Sequence, residues 1–189
     1  MNIAEDRLMT LWEGCLKNDR KQQEQLYRLL APRMLAVCMR YAPDKDEAQD
    51  ILQEGFIKMF KNMNNYRGDG SLEGWIRRIM VHCAISRYRK LKPMMLVDDF
   101  AAESNMPISK SYNDNGLEAK DLMNLVQKLP KTYRSVFSMY AIEGYSHQEI
   151  GNSLGMTELL SRTTLYRARN VLKEMISKLT SREQHCMAG

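Results

Sequence analysis

The stretch SHQEIGNSLGMTELLSRTTLYRAR, residues 146–169, predicts a helix, a tight turn and a second helix. Ser146 and Glu149 have the spacing of a capping box, in which two side chains satisfy free N–H groups at the start of a helix. Gly155 can end that helix in the left-handed conformation, and Thr157 can cap the next one. The second helix carries three arginines. This pattern is typical of a DNA-binding helix-turn-helix, although many other helical hairpins also turn on a glycine.

The net charge is positive and unevenly distributed. The chain has 189 residues, enough for one domain or two small ones, and a formal net charge of +5. A basic balance favours an acidic partner, nucleic acid ahead of a membrane surface, but a mildly basic protein without such a partner fits equally well. Residues 75–92 hold six basic side chains and no acid, whereas residues 97–116 hold four acids and one lysine. This segregation indicates different roles for the two segments.

The four cysteines are widely spaced and form no CxxC pair. The sequence contains no pattern of a signal peptide and no apolar run long enough to span a membrane. We therefore expect reduced thiols in a cytoplasmic protein rather than disulfides. A histidine precedes both Cys83 and Cys186, but adjacent side chains do not converge on one ion. Neither a metal nor a cofactor is predicted.

Apolar residues recur with helical spacing through the first half of the chain. They predict helices over about residues 5–17, 21–41, 46–63 and 72–90. Pro32 should begin a new helix or kink the second one. Residues 64–71, NNYRGDGS, are rich in turn formers and predict a loop, after which Ser71 can cap the fourth helix.

Residues 93–116 interrupt the helical pattern and predict a flexible linker, because they combine weak periodicity with two prolines and net negative charge. Periodicity returns over about 117–129 and 131–142, and the last helix is expected to run to about residue 179. The predicted fold is all-α: two small helical domains joined by a flexible linker, the second a helix-turn-helix. The predicted divisions are a domain at 1–92, a linker at 93–117, a domain at 118–180 and a tail at 181–189.

Two long stretches resemble one protein family. Residues 47–90, with the motifs DILQE and YRGDGSLEGW, resemble the second conserved region of an extracytoplasmic-function (ECF) sigma factor. Residues 128–172, with LPKTYRSVF, EGYSHQEI and RAR, resemble the fourth region. The resemblance covers about 25–92 and 118–175, in the family's order and with a linker of the right length.

The resemblance implies a role in transcription initiation. Members of this family bind core RNA polymerase through the β′ clamp helices and the β subunit, direct it to specific promoters and help to open the −10 element. The polymerase performs the chemistry, so the chain is not expected to be an enzyme. The implied partners are core polymerase, promoter DNA and an anti-sigma factor, without membrane insertion.

The motif DILQE implies the polymerase contact. Asp50, Gln53 and Glu54 stand at i, i+3 and i+4 of a helix and share one edge. In the family this edge meets the β′ clamp helices, and Phe56 is assigned to the same contact. From the residues alone, a solvated polar face is the alternative.

The loop and the helix after it resemble the part of the family that contacts the −10 element. In the family the loop captures a base flipped out of the non-template strand, which requires a pocket and hydrogen bonds to the base edge. The implied −10 residues are Asn65, Tyr66, Arg67, Asp69, Ser71, Trp75, Arg77, Arg78 and His82. An ordinary turn between helices also fits the loop, and Trp75 fits the core equally well. His82 stands where relatives often carry asparagine; it can choose a different base or be a surface histidine.

The second helix of the opening stretch implies the −35 contact. Arg162, Thr163, Tyr166 and Arg167 lie on a face distinct from its apolar residues. In the family this face enters the major groove, where arginine reads guanine and a threonine hydroxyl reaches a base or phosphate. For any single arginine, a phosphate contact or solvent remains the alternative.

Two features depart from the family pattern. The pair Leu159-Leu160 stands where most relatives have a small residue followed by Thr, Ala or Val. A small residue there lets the DNA backbone come close, so whether this chain makes the usual phosphate contact stays open. Gly151 replaces a commoner alanine, at an expected cost of about 1 kcal/mol in helix propensity.

Two other functions fit parts of the sequence. A stand-alone helix-turn-helix regulator would bind duplex DNA tightly as a dimer, without polymerase. A helical interaction protein would dock an acidic partner on its basic face. Binding of core polymerase distinguishes the sigma factor from both.

Overall fold

The computed structural model describes residues 3–91 and 119–186, and within these ranges all regular secondary structure is helical. The helices are α1 (Ile3–Leu16), α2 (Arg20–Met39), α3 (Lys45–Lys61), α4 (Leu72–Leu91), α5 (Ala119–Gln127), α6 (Lys131–Phe137), α7 (His147–Leu154) and α8 (Glu158–Cys186). They form two compact units, α1–α4 and α5–α8. The prediction of an all-α fold with two helical domains is confirmed, while the predicted linker lies outside the described residues.

Helix α2 is central to the first unit, because it packs against α1, α3 and α4. Apolar side chains at helical spacing meet between these helices and exclude water. The largest fully buried side chains of this unit include Leu26, Leu30, Met34, Ile51, Met59, Ile76 and Met80. Burying one such side chain stabilises the fold by about 1.5–3 kcal/mol.

Aspartate side chains fix the starts of α2 and α3. A carboxylate oxygen of Asp19 accepts from the N–H of Lys21 at 2.8 Å, and one of Asp44 accepts from the N–H of Glu47 at 2.8 Å. Helix α2 continues through Pro32 as one helix, so no new helix begins there. The proline is exposed, and water can satisfy the carbonyl that its missing N–H leaves unpaired.

Helix α8 is central to the second unit, because it packs against α5, α6 and α7. The core joins α5 and α6 to α8 through Leu125, Val126, Leu129, Tyr133, Ala168 and Leu172. Helix α6 continues into a π-helical turn at Ser138–Ile142, within the predicted helix. Helix α8 runs to Cys186, past its predicted end, since no glycine or proline interrupts residues 158–186.

The buried Arg134 ties α5 to α6. Its guanidinium donates to the backbone oxygen and to the side-chain oxygen of Gln127, both at 3.0 Å. Burial lowers the pKa of this guanidinium, although two acceptors hold it in place. The arginine thereby positions α6 where it can support α8.

Candidate nucleic-acid interface

The loop between α3 and α4 is closed by its own hydrogen bonds. It begins with a 3₁₀ turn at Met63–Asn65, and the hydroxyl of Tyr66 donates to the carbonyl oxygen of Gly70 at 2.9 Å. Gly68 and Gly70 have φ angles of 82° and 90°, which residues with a side chain rarely adopt. The loop therefore has a defined shape that depends on its two glycines.

Three aromatic rings connect this loop to helices α1 and α4. Trp12 of α1, Tyr66 of the loop and Trp75 of α4 contact one another, with ring centroids 5.6 to 5.8 Å apart. Trp12 meets the other two rings edge to face, as ring quadrupoles favour. Trp12 is 3% exposed, whereas Tyr66 and Trp75 are half-buried. This aromatic cluster fixes the loop relative to α1 and α4.

A depression of about 260 Å³ lies beside the cluster, between the end of α3 and the middle of α4. It is lined by Lys58, Asn62, Asn65, Trp75, Ile79, His82, Cys83 and Ser86. Its volume is several times the roughly 30 Å³ of one liquid water molecule, so it has room for a planar base. An aromatic ring, two amides and an imidazole can stack on a base and bond to its edge. The structure thus brings the predicted residues Asn65, Trp75 and His82 to one site.

Sequence reasoning missed two polar residues of this depression, at the end of α3. The amide nitrogen of Asn62 donates to the carbonyl oxygen of Lys58 at 2.8 Å. The Lys58 ammonium lies 2.7 Å from a carboxylate oxygen of Glu54. Their i, i+4 spacing just before the loop was the signal that could have placed both beside Asn65.

The remaining residues of the predicted −10 set lie outside the depression. Arg67 and Asp69 are exposed in the loop, and Arg78 is exposed on α4. The Ser71 hydroxyl accepts from the N–H of Gly74 at 3.1 Å, so its predicted capping of α4 is confirmed. These side chains can contact a DNA strand only where the strand extends past the edge of the depression.

Acidic partners engage part of the basic charge of α4. Arg87 pairs with Glu47 and, at 2.9 Å, with a carboxylate oxygen of Asp50. Arg77 lies 3.9 Å from a carboxylate oxygen of Glu73. The charge that α4 offers to a phosphate backbone is therefore smaller than its number of basic residues suggests.

The DILQE motif places polar groups on the outer side of α3. Asp50 and Gln53 are exposed and Glu54 is half-buried. Phe56 is only 3% exposed, and its ring centroid lies 4.7 Å from that of Tyr27 on α2. Phe56 therefore supports this edge from the core instead of lying on its surface.

A groove of about 580 Å³ adjoins this edge, between α2 and α3. It is lined by Tyr27, Arg28, Ala31, Pro32, Leu35, Gln49, Leu52 and Gln53. The α2 side of the groove was missed by sequence reasoning. The sequence feature that could have revealed it is a tyrosine and a proline at i and i+5 of one helix, where the apolar stripe of α2 reaches solvent.

The predicted helix-turn-helix is formed by α7 and α8. The N–H of Ser146 donates to a carboxylate oxygen of Glu149 at 2.8 Å, and the N–H of Glu149 donates to the Ser146 hydroxyl at 3.2 Å. Gly155 ends α7 in the left-handed conformation, with φ 71° and ψ 36°. The hydroxyl of Thr157 accepts from the N–H of Leu160 at 3.1 Å. The capping box, the glycine end and the threonine cap are all confirmed.

Gly151 has a role in this turn that helix propensity alone does not describe. Its carbonyl oxygen accepts from the N–H groups of Gly155 and Met156 at 2.9 and 3.0 Å. A Cβ at this position would lie 2.7 Å from the carbonyl oxygen of Met156, closer than such atoms pack. The glycine lets the turn fold back onto α7, which offsets its poor helix propensity.

The outward face of α8 combines charged and apolar groups. The guanidinium of Arg162 donates twice to one carboxylate oxygen of Glu158, from Nε at 3.1 Å and also from Nη2. The hydroxyl of Thr163 donates to the carbonyl oxygen of Leu159 at 2.9 Å. The predicted −35 residues on this face are the exposed Arg162, Tyr166 and Arg167 and the half-buried Thr163.

The two leucines at the start of α8 have different environments. Leu159 is 72% exposed, whereas Leu160 is half-buried. Only Leu159 therefore extends the outward face of α8, and the small residue of the family pattern is replaced there by a projecting apolar side chain.

His147 links the start of α7 to α8. Its ring stacks on Tyr140 with centroids 4.5 Å apart, and its Nδ1 lies 2.9 Å from the hydroxyl oxygen of Ser161. The guanidinium of Arg169 lies 5.7 Å from the Tyr140 ring centroid, within reach of a cation–π contact. Burial, followed by the nearby Arg162, lowers the pKa of His147. The neutral imidazole is therefore the favoured form in this contact.

Among the helices of residues 3–91 and 119–186, each is too short or too polar to span a lipid bilayer. Over the same residues, no group of three or more histidine, cysteine or acidic side chains is placed to hold a metal ion. Cys15, Cys38 and Cys83 are free and buried, and burial raises the pKa of Cys15 to about 11 and that of Cys38 to about 12. These two thiols are un-ionised at neutral pH.

A helix-turn-helix in one unit and a base-sized depression beside a hydrogen-bonded loop in the other define a two-domain DNA-binding protein. Known families match the chain in the same two places. The model of sigma-70 region 2 matches residues 26–93, and that of sigma-70 region 4 matches residues 119–172. The chain belongs to the sigma-70 family, in its extracytoplasmic-function group.

Similar proteins include sigma factors from several bacteria. The ECF RNA polymerase sigma factor SigE of Mycolicibacterium smegmatis is 30% identical over 164 residues, which cover 84% of this chain but 63% of that protein. The RNA polymerase sigma-H factor of Pseudomonas aeruginosa is 23% identical, over 94% of this chain and 97% of the relative. The ECF sigma factor SigW of Bacillus subtilis is 26% identical, over 86% and 93%.

The fold is also similar to a solved structure. The sigma factor RpoE of Bartonella quintana, crystallised with the anti-sigma factor NepR, matches with a TM-score of 0.50 at 18% identity. The match covers 82% of this chain and 96% of that chain. At this identity the likeness concerns the fold alone.

Proposed function

We propose that this chain is an alternative sigma factor that binds core RNA polymerase, directs it to specific promoters and helps to open the −10 element. The general role follows from membership of the sigma-70 family. The observation that carries the assignment of surfaces is the depression shared by Asn65, Trp75 and His82 beside a fixed loop. The chain supplies recognition, the polymerase supplies the chemistry, and both act in the cytoplasm.

The depression is proposed to receive one unpaired base of the −10 element. Trp75 offers a ring face for stacking, while Asn65 and His82 offer donors and acceptors for the base edge. Lys58, at the rim, can contact the adjoining phosphate. The residues around it would hold the flanking strand: the exposed Arg67, Asp69, Ser71 and Arg78 and the half-buried Arg77, with Tyr66 holding the loop.

Helix α8 is proposed to enter the major groove of the −35 element. Arg162, Thr163, Tyr166 and Arg167 lie on its outward face, and the caps of α7 and α8 set the angle of the turn. A helix placed in this way reaches base edges with its first turns. We keep the division into a −10 domain at 1–92, a linker at 93–117, a −35 domain at 118–180 and a tail at 181–189.

The outer side of α3 is proposed to bind the β′ clamp helices of the polymerase. Gln53 belongs both to the edge with Asp50 and Glu54 and to the groove between α2 and α3. Ile57, one helical turn further on, is 54% exposed and adds apolar contact area. A helix of the partner can fill such a groove with its apolar side. An anti-sigma factor is a further proposed partner, since the B. quintana sigma factor was crystallised with one.

The test combines core polymerase, the purified chain and promoter DNA, with the yield of transcripts from specific start sites as the readout. Gln53→Lys with Glu54→Lys should abolish polymerase binding and leave the far-ultraviolet circular dichroism spectrum unchanged. The matched control, Gln25→Lys with Glu13→Lys, makes the same change of charge at two exposed positions outside this edge and should retain activity. A wild-type chain that does not bind polymerase would exclude the proposed function.

A further inference from the structure

The face of α8 proposed to meet DNA carries an apolar stripe. Leu159, Thr163 and Tyr166 stand at i, i+4 and i+7, so they follow one another along one side of the helix. Leu159 is 72% exposed and Tyr166 is 67% exposed. Neighbouring exposed apolar side chains often mark a binding surface, whereas single ones scattered over a surface do not.

The hydrogen bond of Thr163 adds its methyl group to the stripe. The hydroxyl donates its hydrogen to the carbonyl oxygen of Leu159 at 2.9 Å. It therefore has no hydrogen left to donate to a base, and the other branch of the side chain is a methyl group. The stripe runs from the Leu159 side chain over this methyl group to the Tyr166 ring.

The ion pair of Arg162 with Glu158 makes it harder for this arginine, beside the stripe, to bind a guanine. Arg162 gives two donors to the Glu158 carboxylate, and a bidentate contact with guanine would have to replace them. Charge on both sides of the stripe still suits DNA, because Arg162 and Arg167 are exposed and can approach phosphates. This basic surround favours DNA over an apolar protein helix as the occupant.

One apolar group is available on base edges in the major groove, the C5 methyl group of thymine. The span from Leu159 to Tyr166 is about 10 Å at 1.5 Å per residue, or about three base pairs at 3.4 Å. We propose that α8 selects thymines in the −35 element by their methyl groups, which pack against Leu159, Thr163 and Tyr166. This inference rests on the proposed function, since α8 must occupy the major groove.

Deoxyuridine tests the inference, because it pairs as thymidine does but lacks the C5 methyl group. The full chain, bound to core polymerase, is titrated with promoter duplexes in which each thymine of the −35 element is replaced in turn. Loss of one packed methyl group should weaken binding about four-fold. Leu159→Ala should weaken binding to the thymine duplex similarly and make it insensitive to deoxyuridine at one position.

Two substitutions of Thr163 separate its methyl group from its hydroxyl. Thr163→Val keeps a methyl group toward the DNA and removes the hydroxyl, whereas Thr163→Ser does the reverse. The inference predicts that Thr163→Val retains affinity and sensitivity to deoxyuridine, and that Thr163→Ser loses about four-fold in affinity. The opposite ranking would make the hydroxyl the contact and overturn the inference.

The outcomes distinguish this inference from the proposed function. If promoter binding is specific but unaffected by deoxyuridine at every −35 thymine, the proposed sigma-factor function stands and the proposed recognition of methyl groups is wrong. Loss of affinity in Leu159→Ala that is equal on thymine and deoxyuridine duplexes does the same. Retained DNA affinity with loss of a protein partner would assign the stripe to that partner, and failure to bind polymerase would exclude both proposals.

Discussion

The two segments proposed to meet DNA are held by different kinds of contact. Within the turn between α7 and α8, hydrogen bonds join residues no more than five positions apart, such as those from Gly155 and Met156 to Gly151, and the contact of His147 with Ser161 adds to them. The loop between α3 and α4 has its own bond from Tyr66 to Gly70, but its position depends on Trp12 in α1. One recognition element is set locally, the other by tertiary packing.

Because of this difference, substitutions far along the chain should affect the loop of the first unit but not the turn of the second. The turn of the second unit forms wherever α7 and α8 form, because its caps belong to the helices themselves. The loop of the first unit needs α1 in place, with Trp12 against Tyr66 and Trp75, so a change at Trp12 acts on the proposed −10 site from a distance. We therefore expect changes in α1 to affect promoter opening without altering the −35 contact.

The largest expected effect follows from removing the Trp12 ring. Trp12→Ala should destabilise the first unit by about 3–5 kcal/mol, a large part of the 5–15 kcal/mol typical of a domain. Urea unfolding, followed by tryptophan fluorescence, measures this loss, since both tryptophans lie in the first unit and Trp75 remains in the variant. Promoter opening should fall more than polymerase binding, because the loop loses its support.

Two control variants make the Trp12 test specific. Trp12→Phe keeps a ring in the cluster and should cost less than half as much, whereas Met9→Ala changes an exposed residue of the same helix and should cost little. All variants are compared at a temperature at which each is folded. Equal promoter opening by Trp12→Ala and Met9→Ala would show that the loop does not depend on the aromatic cluster.

A smaller effect is expected at the turn of the second unit. Gly151→Ala would place a Cβ against the Met156 carbonyl oxygen, and such crowding costs about 1–3 kcal/mol. Alanine returns about 1 kcal/mol of helix propensity, so a net loss of up to about 2 kcal/mol is expected. Thermal unfolding by circular dichroism measures it, and −35 binding should weaken as the turn opens.

Asn152→Ala provides the matched control for Gly151→Ala. Asn152 is the next residue of α7 and is exposed, so alanine there gains helix propensity without crowding the turn. The control should be as stable as the wild type or slightly more stable. If Gly151→Ala matched it, the turn would have to move away from α7 at no cost, and the close approach would not be a requirement.

Local features of this protein were predictable from its sequence, and tertiary ones were not. The capping box at Ser146, the end of α7 at Gly155 and the cap at Thr157 each need only certain residue types at short spacing. The aromatic cluster depends on where α1 docks, which no spacing encodes. The burial of Phe56 and the pairing of Arg87 with acids on α3 likewise depend on packing between helices.

The candidate sites divide in the same way. Helical spacing placed the polar edge of α3 and the outward face of α8, because each lies on one element. The depression joins α3, the loop and α4, so its membership was only partly foreseen: Asn65, Trp75 and His82 were named, whereas Lys58 and Asn62 were not. Residue types indicated which groups could bind a base, and the packing of α3 on α4 determined which of them meet.

The smallest expected effect is a dependence on pH confined to the second unit. Burial and Arg162 lower the pKa of His147 in the folded chain below its ordinary value, so the unfolded chain binds this proton at higher pH. Stability must then fall as the pH decreases through about 6.5 and level off below the folded pKa. Tyr140, Glu158 and Arg169 also face this ring, and Glu158 opposes part of the shift.

His147→Asn isolates this contribution, because asparagine does not titrate but can still bond to Ser161. The difference in unfolding midpoint between wild type and variant should be larger at pH 7.5 than at pH 5.5. Tryptophan fluorescence provides an internal reference, because both tryptophans lie in the first unit and their transition should respond equally to pH in the two proteins. A difference that is constant with pH, or that grows as the pH falls, would mean that the folded chain does not favour the neutral imidazole, and the link from α7 to α8 would then not depend on its charge.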